Sequence, residues 1–327
     1  MGPRPQALVR TAHDPGDYRR GTRSGVTSSN PDRQAGAAGV PRVRRRQAAG
    51  GVHVGTARVS DGATIGGVTI SNVNKVWWPD EGITKGDVAR YYHAISPLLL
   101  PWMRDRPLTA ERCPDGMLGG CFYRKNFPEG NIPVGAPRLR LRAASTGKDV
   151  NYVVGGTLEA LLGLVRVGCI SMHVMNSRVG SMHDADWLAF DLDPSSGEFS
   201  DTVRAGSVLR GILDEHGLAS FPKTSGSRGL HVFVPLRTGH SQEDVTAFAV
   251  LIGEELARRA PDLVTMAHRK SARGARVYAD PFRNAFLQTI APPYSVRRRP
   301  GATVSVPLAW DEVTAKLDPR RFTMYTL

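Results

Sequence analysis

Apolar and polar positions along this chain switch between two rhythms. Short runs rich in β-branched and aromatic residues predict strands at Val68-Thr69-Ile70, Ser171-Met172-His173-Val174, Leu230-His231-Val232-Phe233-Val234 and Arg276-Val277-Tyr278-Ala279-Asp280. Between them apolar residues return every three or four positions. Thr84-Lys85-Gly86-Asp87 opens such a pattern, with Val88, Tyr91, Tyr92 and Ile95 on one face and Thr84 as the N-cap. Further helices are predicted over 158–167, 201–215 and 241–259. Ser220-Phe221-Pro222-Lys223 leads into a glycine-punctuated turn. Strands alternating with helices predict an α/β class (α+β), and no internal repeat is visible.

The run Trp187-Leu188-Ala189-Phe190-Asp191-Leu192-Asp193-Pro194 departs from simple patterning, because an apolar strand ends in two carboxylates. Strand side chains alternate between faces, so Asp191 and Asp193 share one face while Phe190 and Leu192 take the other. Two carboxylates held this close repel, and a shared divalent cation relieves them. The plain alternative is a solvated strand end. Asp280 closes a similar strand and is a natural third carboxylate; three aspartates on two strands suit a two-metal site for displacement at phosphorus.

Composition adds a partner class. The 327 residues carry 43 Lys and Arg against 30 Asp and Glu, a net charge of +13, which favours a polyanion such as nucleic acid. Residues 1–62 hold eleven arginines, four aspartates and almost no large apolar side chains, so they are expected to be a disordered basic tail, with one folded domain over 63–327. The cluster Arg42-Val43-Arg44-Arg45-Arg46 in that tail reads either as a DNA-backbone grip or as a solvated run. Cys113, Cys121 and Cys169 form no Cys-x-x-Cys pair and are odd in number, which argues against a disulfide framework and a structural zinc, and fits a reducing cytosol. No export signal or membrane span is read, so a cytoplasmic, nucleoid-associated location is expected.

Phosphate chemistry is supported by Thr224-Ser225-Gly226-Ser227-Arg228-Gly229-Leu230-His231. Glycines free the backbone N–H groups to face an anion, serines add hydroxyl donors, and Arg228 adds a guanidinium fork. The spacing is not that of a P-loop, and an ordinary β-turn is the alternative. Arg283-Asn284, Gln288-Thr289 and Tyr294-Ser295-Val296-Arg297-Arg298-Arg299 supply further cations and polar groups. Phe122-Tyr123 beside Arg124-Lys125 suits stacking on a base, although adjacent aromatics on a strand face opposite ways and one is expected in the core. His173 and His231 lie on strands leading to the site, and each taken alone reads as a core histidine.

At these motifs, together with Asn72-Val73-Asn74-Lys75-Val76-Trp77-Trp78-Pro79, Thr84-Lys85 and Pro293-Tyr294-Ser295-Val296-Arg297, the chain resembles the polymerase domain of bacterial ligase D. It also resembles the related stand-alone primase-polymerases of the archaeo-eukaryotic primase superfamily. The resemblance runs from about Val68 to the C-terminus. It implies a two-lobed primase-polymerase-like fold of mixed and antiparallel sheets flanked by helices, with the active site between the lobes. The remaining length has room for neither a ligase nor a nuclease, so a free-standing form is expected.

The resemblance further implies roles. Asp191, Asp193 and Asp280 would hold two divalent ions, Mn²⁺ or Mg²⁺. His173, Ser225, Arg228, Arg283 and Arg297 would contact the incoming NTP or dNTP. Asn72, Lys75 and Lys85 would bind the 5′-phosphate of a DNA gap or end, and Phe122 and Tyr123 would stack on the template. The expected activity is template-directed addition of nucleotides during repair of gaps and double-strand breaks by non-homologous end joining, by a monomer that works beside a separate DNA ligase and Ku. Three departures stand out: Pro281 follows the third aspartate, Val174-Met175 follows His173, and Glu111 stands where some relatives place a lysine for DNA. Two rivals remain open. One is a phosphatase of the haloacid dehalogenase type, disfavoured because Pro194-Ser195 follows the aspartates and a long folded segment precedes them. The other is a non-catalytic DNA-end module that recruits a ligase.

Overall fold

The structure is a computed structural model that describes residues 62–128, 135–142, 147–196 and 198–327. Apart from Gly62, the basic tail and its arginine cluster lie outside the described residues.

Two hairpins come first: β1 (Gly62–Ile65) with β2 (Val68–Ser71), and β3 (Val76–Trp78) with β4 (Ile83–Thr84). Helix α1 (Lys85–Met103) follows, opened as its sequence indicates. The Thr84 hydroxyl accepts the Asp87 N–H at 3.1 Å, and the Asp87 carboxylate accepts the Thr84 N–H at 2.8 Å. Such a reciprocal cap satisfies two orphan donors, and losing the threonine costs about 1 kcal/mol. The face carrying Val88, Tyr92, Ile95, Leu99 and Met103 is buried. The hydroxyls of Tyr91 and Tyr92 donate to the Tyr294 and Ile170 carbonyls at 2.9 and 2.7 Å, which ties α1 to distant segments.

Next come β5 (Leu108–Arg112), β6 (Phe122–Arg124), the hairpin β7 (Arg138–Arg142) with β8 (Asp149–Val153), α2 (Leu158–Arg166) and β9 (Cys169–Val174). Strands β6, β5 and β9 form an antiparallel sheet in that order. Cys113 and Cys121 leave β5 and enter β6, and the antiparallel pairing of those strands brings their Cα atoms to 4.4 Å in a disulfide. This corrects the expectation of unpaired cysteines, since only the buried Cys169 is free.

The second half builds a five-stranded sheet ordered β11-β12-β10-β14-β13. Its strands are β10 (Trp187–Pro194), β11 (Phe221–Thr224), β12 (Leu230–Pro235), β13 (Val264–Thr265) and β14 (Val277–Asp280). Helices α3 (Phe199–Glu215) and α4 (Gln242–Arg259) pack against it. All pairings are antiparallel except β13 with β14, so the sheets are mixed and antiparallel, as the resemblance implied. β10 sends Leu188, Phe190 and Leu192 into the core, where removing a leucine side chain costs roughly 2–5 kcal/mol. Gly206 lets α3 approach closely, since a Cβ there would lie 2.9 Å from a Leu230 methyl.

β14 pairs with only the second half of β10. In the first half, the side-chain amide of the fully buried Asn284 takes the missing strand's place, accepting from Ala189 N and donating to Ala189 O, both at 2.8 Å. The five-stranded and three-stranded sheets belong to the two lobes, and a segment over 290–297 joins them, through Ile290 to Val174 and Ser295 to Met172 on one side and Arg297 to Ser225 O on the other. Among the described residues no helix is long and apolar enough to cross a membrane.

Candidate active site

Sheet register assembles the carboxylates. Asp191 lies directly opposite His231 on β12 and opposite Asp280 on β14, while Asp193 lies two residues on along the same face. A cleft of about 380 Å³ opens above them. The five-stranded sheet contributes Asp191, Asp193 and His231 to it; β6 and β9 contribute Tyr123 and His173. Ser225, Arg283 and Arg297 complete its polar wall. These eight residues, all named in the sequence, therefore meet at one opening.

The carboxylates are strained electrostatically. The Asp191 carboxylate raises Asp193 to about 7, with burial adding to the effect. Asp191 suffers the same burial, but His231, Arg283 and Arg297 together hold it below the usual carboxylate range. Gly229 permits the approach of the 225–229 turn, because a Cβ there would lie 2.8 Å from Asp193 Oδ1. Asp191 Oδ1 is buried and makes no hydrogen bond, although His231 Nε2 is 3.3 Å away. An all-oxygen donor set of crowded carboxylates with an unanswered buried oxygen fits a hard divalent ion such as Mg²⁺ or Mn²⁺. Asp280 stands beside these two rather than on the cleft wall. Its Oδ1 accepts the Phe282 N–H at 3.0 Å, and its Oδ2 faces Arg283 Nε at 3.2 Å.

His231 is more than the core histidine its pattern indicated. Burial first and Lys223 second push it down to about 4, so it is neutral near pH 7. The side-chain nitrogen of Lys223, buried so that its pKa is held well below the usual lysine range, lies 2.7 Å from His231 Nδ1 and donates to Ser305 Oγ at 2.5 Å. With Nδ1 accepting, the imidazole proton sits on Nε2, facing Asp191. The cross-strand pair Lys223 with His231 that makes this possible depends on strand register, which the sequence does not display.

The glycine-rich turn differs from its expected form. The N–H groups of Ser227 and Gly229 bind the Ser225 hydroxyl oxygen at 3.1 and 3.0 Å rather than facing the cleft. Cationic Arg297 takes that role. One of its nitrogens donates to Ser225 O at 2.8 Å, and its Nε is buried without a partner. His173 has a buried, unpartnered Nε2 and packs edge-on against Tyr123 with ring centres 5.4 Å apart. Burial, with Arg297 and Arg283 next, holds its pKa well below the usual histidine range. Arg228 does not join this group; it lines a separate cleft of about 520 Å³ with Lys316 and Arg320. Thr289 and Arg299, from the polar stretch after Asp280, also line the main cleft, as does Thr109, which was not singled out in the sequence.

Both aromatics of β6 are exposed, at 48% for Phe122 and 60% for Tyr123, so neither enters the core as alternation implied. β6 is an edge strand three residues long, and nothing packs over either face enough to bury them. Arg112 lies over the Phe122 ring, 6.0 Å from its centre.

The second cationic group forms elsewhere. Lys75 N donates to Asn72 O and Lys85 N donates to Lys75 O, so the β3–β4 hairpin draws all three residues together. Lys85 Nζ donates to the Arg166 carbonyl at 2.7 Å, and burial, followed by Lys75 and Arg166, lowers its pKa to about 8. Lys75 pairs with Asp115 at 2.6 Å. Glu111 is buried and grips Arg298 at 2.6 Å, so it faces an internal guanidinium.

The family model for the LigD primase-polymerase domain matches residues 84–327. The multifunctional non-homologous end joining protein LigD of Mycolicibacterium smegmatis is 32% identical over 251 residues, covering 75% of this chain and 32% of the relative. The bifunctional non-homologous end joining protein LigD of Bacillus subtilis is 30% identical over 259 residues, covering 79% of this chain and 41% of the relative. The chain thus spans about a third of the length of the LigD proteins from mycobacteria that it matches. Among solved structures, the polymerase domain of Mycobacterium tuberculosis ligase D in complex with DNA aligns with a TM-score of 0.73 at 29% identity, over 79% of this chain and 92% of that one.

Proposed function

Because this chain belongs to the LigD primase-polymerase domain family, we propose that it is a template-directed nucleotidyltransferase that extends primers at gaps and double-strand-break ends during non-homologous end joining. The observation that carries this reading is the union in one cleft of the two β10 aspartates, Asp191 and Asp193, with the cations Arg283 and Arg297 and the hydroxyl of Ser225.

Asp191, Asp193 and Asp280 would hold the divalent ions, Mn²⁺ or Mg²⁺, which supply Lewis acidity toward the primer hydroxyl and the leaving oxygen. The protein's own groups do the rest. Arg297, braced on Ser225 O, offers its free Nε to a triphosphate, and the neutral His173 offers a buried ring nitrogen beside it. Lys223 fixes the His231 tautomer, and His231 in turn steadies Asp191. Tyr123, exposed at the cleft mouth, is placed to stack on a template base with Phe122 at its side. Lys75 and Lys85 form a separate phosphate grip for the downstream 5′ end. A separate DNA ligase and Ku are the partners such a repair step calls for.

The rival reading is a non-catalytic end-binding module that recruits a ligase. One assay separates the two. Extension of a primed, gapped duplex is followed with Mn²⁺ present or withheld, with ribo- or deoxynucleotides, and with or without a downstream 5′-phosphate. Template-directed addition that disappears in Asp191→Ala/Asp193→Ala supports the polymerase; tight 5′-phosphate binding without addition overturns it in favour of the module.

A further inference from the structure

Carboxylates on one face of a sheet repel, and the compensation at this face is uneven. His231 contributes an N–H but no charge, since burial keeps it neutral. One nitrogen of Arg297 is committed to Ser225 O. The cation nearest the carboxylates is Arg283, whose Nε lies 3.3 Å from Asp191 Oδ2 and 3.2 Å from Asp280 Oδ2. A guanidinium therefore stands between two strands' carboxylates, at the oxygens a divalent ion would need.

How Arg283 is held indicates what it can do. Its backbone is fixed, because the 3-10 turn Pro281–Asn284 is capped by Asp280 and locked to β10 through Asn284. Its side chain is anchored by charge alone: Nε is buried yet makes no hydrogen bond of acceptable geometry with either carboxylate. The side chain is 38% exposed and lines the cleft where Arg297 waits for phosphate. A fixed pivot, a loosely held head and an alternative anionic partner within the same cleft make an exchangeable counter-ion.

Resting on the proposed metal-dependent reading, we propose that Arg283 competes with the divalent ion for Asp191 and Asp280, so that metal loading expels the guanidinium into the cleft, toward the nucleotide's phosphates. Arg283 then lowers metal affinity in the nucleotide-free protein, because the ion meets a competent site only in the fraction of molecules whose guanidinium has left. Any nucleotide that engages the released guanidinium strengthens metal binding, and linkage makes the effect mutual.

The test is Mn²⁺ binding to the full chain without nucleotide, read from the electron paramagnetic resonance signal of free Mn²⁺. Circular dichroism and thermal melts of each variant accompany it. Arg283→Gln is expected to bind Mn²⁺ about tenfold more tightly, and Arg283→Lys, too short a point charge to span both carboxylates, by an intermediate factor. Without Mn²⁺, Arg283→Gln should melt below the wild type, and saturating Mn²⁺ should close that gap. If neither variant binds more tightly while retaining a wild-type spectrum, the counter-ion role is overturned; if the glutamine variant fails to fold, the lysine variant decides. Adding Asp193→Asn separates the two levels of inference. Loss of Mn²⁺ binding in that variant, with Arg283→Gln indistinguishable from wild type, removes only the role of Arg283. Mn²⁺ binding that survives Asp193→Asn places the ion elsewhere and removes the metal-site reading as well.

Discussion

The carboxylate cleft and the Lys75/Lys85 corner are both charged, yet they are built in opposite ways. At the cleft, groups from β9, β10, β12 and β14 meet through long-range register, like charges are forced together, and several buried atoms lack partners. At the corner, Asn72 and Lys75 stand just before β3 and Lys85 opens α1, and the lysines already have protein partners in Asp115 and the Arg166 carbonyl. The first holds unspent interaction energy, which in the proposed reading a metal and a triphosphate would release. The second is nearly satisfied before DNA arrives, so a 5′-phosphate gains only the difference between two sets of contacts.

The largest break in this contrast should come from Asp193→Asn, expected to lower nucleotide addition by about a thousandfold or more while 5′-phosphate binding changes less than about twofold. Primer extension and fluorescence anisotropy with a phosphorylated gap would check it, and parallel loss of both activities would show that the regions are not independent. Lys223→Met tests how far the cleft depends on its supporting shell. Turnover should fall about 10–100-fold, as for other outer-shell partners, with little change in KM for nucleotide; steady-state kinetics in which only KM moves would place Lys223 on the substrate side.

At the corner the effects are smaller. Lys85→Ala should cost about tenfold in preference for a 5′-phosphorylated gap and flatten the slope of log K against log salt by about 0.9. The pH responses should run in opposite senses. Ion binding needs Asp193 ionised, so Mn²⁺ affinity should climb as pH rises through about 7. Lys85 loses its proton near 8, so the 5′-phosphate preference should decline as pH rises through that value. Parallel pH trends in the two titrations would contradict this assignment. The smallest change is a gain: Asp115→Asn frees Lys75 from an exposed ion pair worth about 0–1 kcal/mol, and 5′-phosphate affinity should rise by a factor of a few at most.

What could be read in the sequence follows the same division. Elements with a local signal were legible: the Thr84 cap, the helices and the Asp-x-Asp strand all stand near their expected positions. Three aspartates could be proposed as partners because each ends an alternating strand. The links that depend on register were hidden. Nothing in Phe221-Pro222-Lys223 announces that Lys223 will face His231, or that Asn284 will complete β10 from 95 residues away. The disulfide was missed because cysteine counting says nothing of two strands whose ends converge. Arg228 was misplaced because a turn's sequence does not fix on which side its exposed side chain leaves. The proposal of a 5′-phosphate corner at Asn72, Lys75 and Lys85 came from the family resemblance and not from spacing.

The tyrosine anchors of α1 bear on how the protein is made. Tyr91 finds its acceptor 203 residues further along the chain, and Tyr92 accepts from Val296, 204 residues on. A nascent chain elongates at roughly 5–20 residues per second, so α1 waits at least about ten seconds for these partners. Burying the Tyr91 hydroxyl before then would cost about 1–3 kcal/mol. The first half should therefore stay loosely associated on the ribosome and acquire its fixed packing only after the chain is nearly complete.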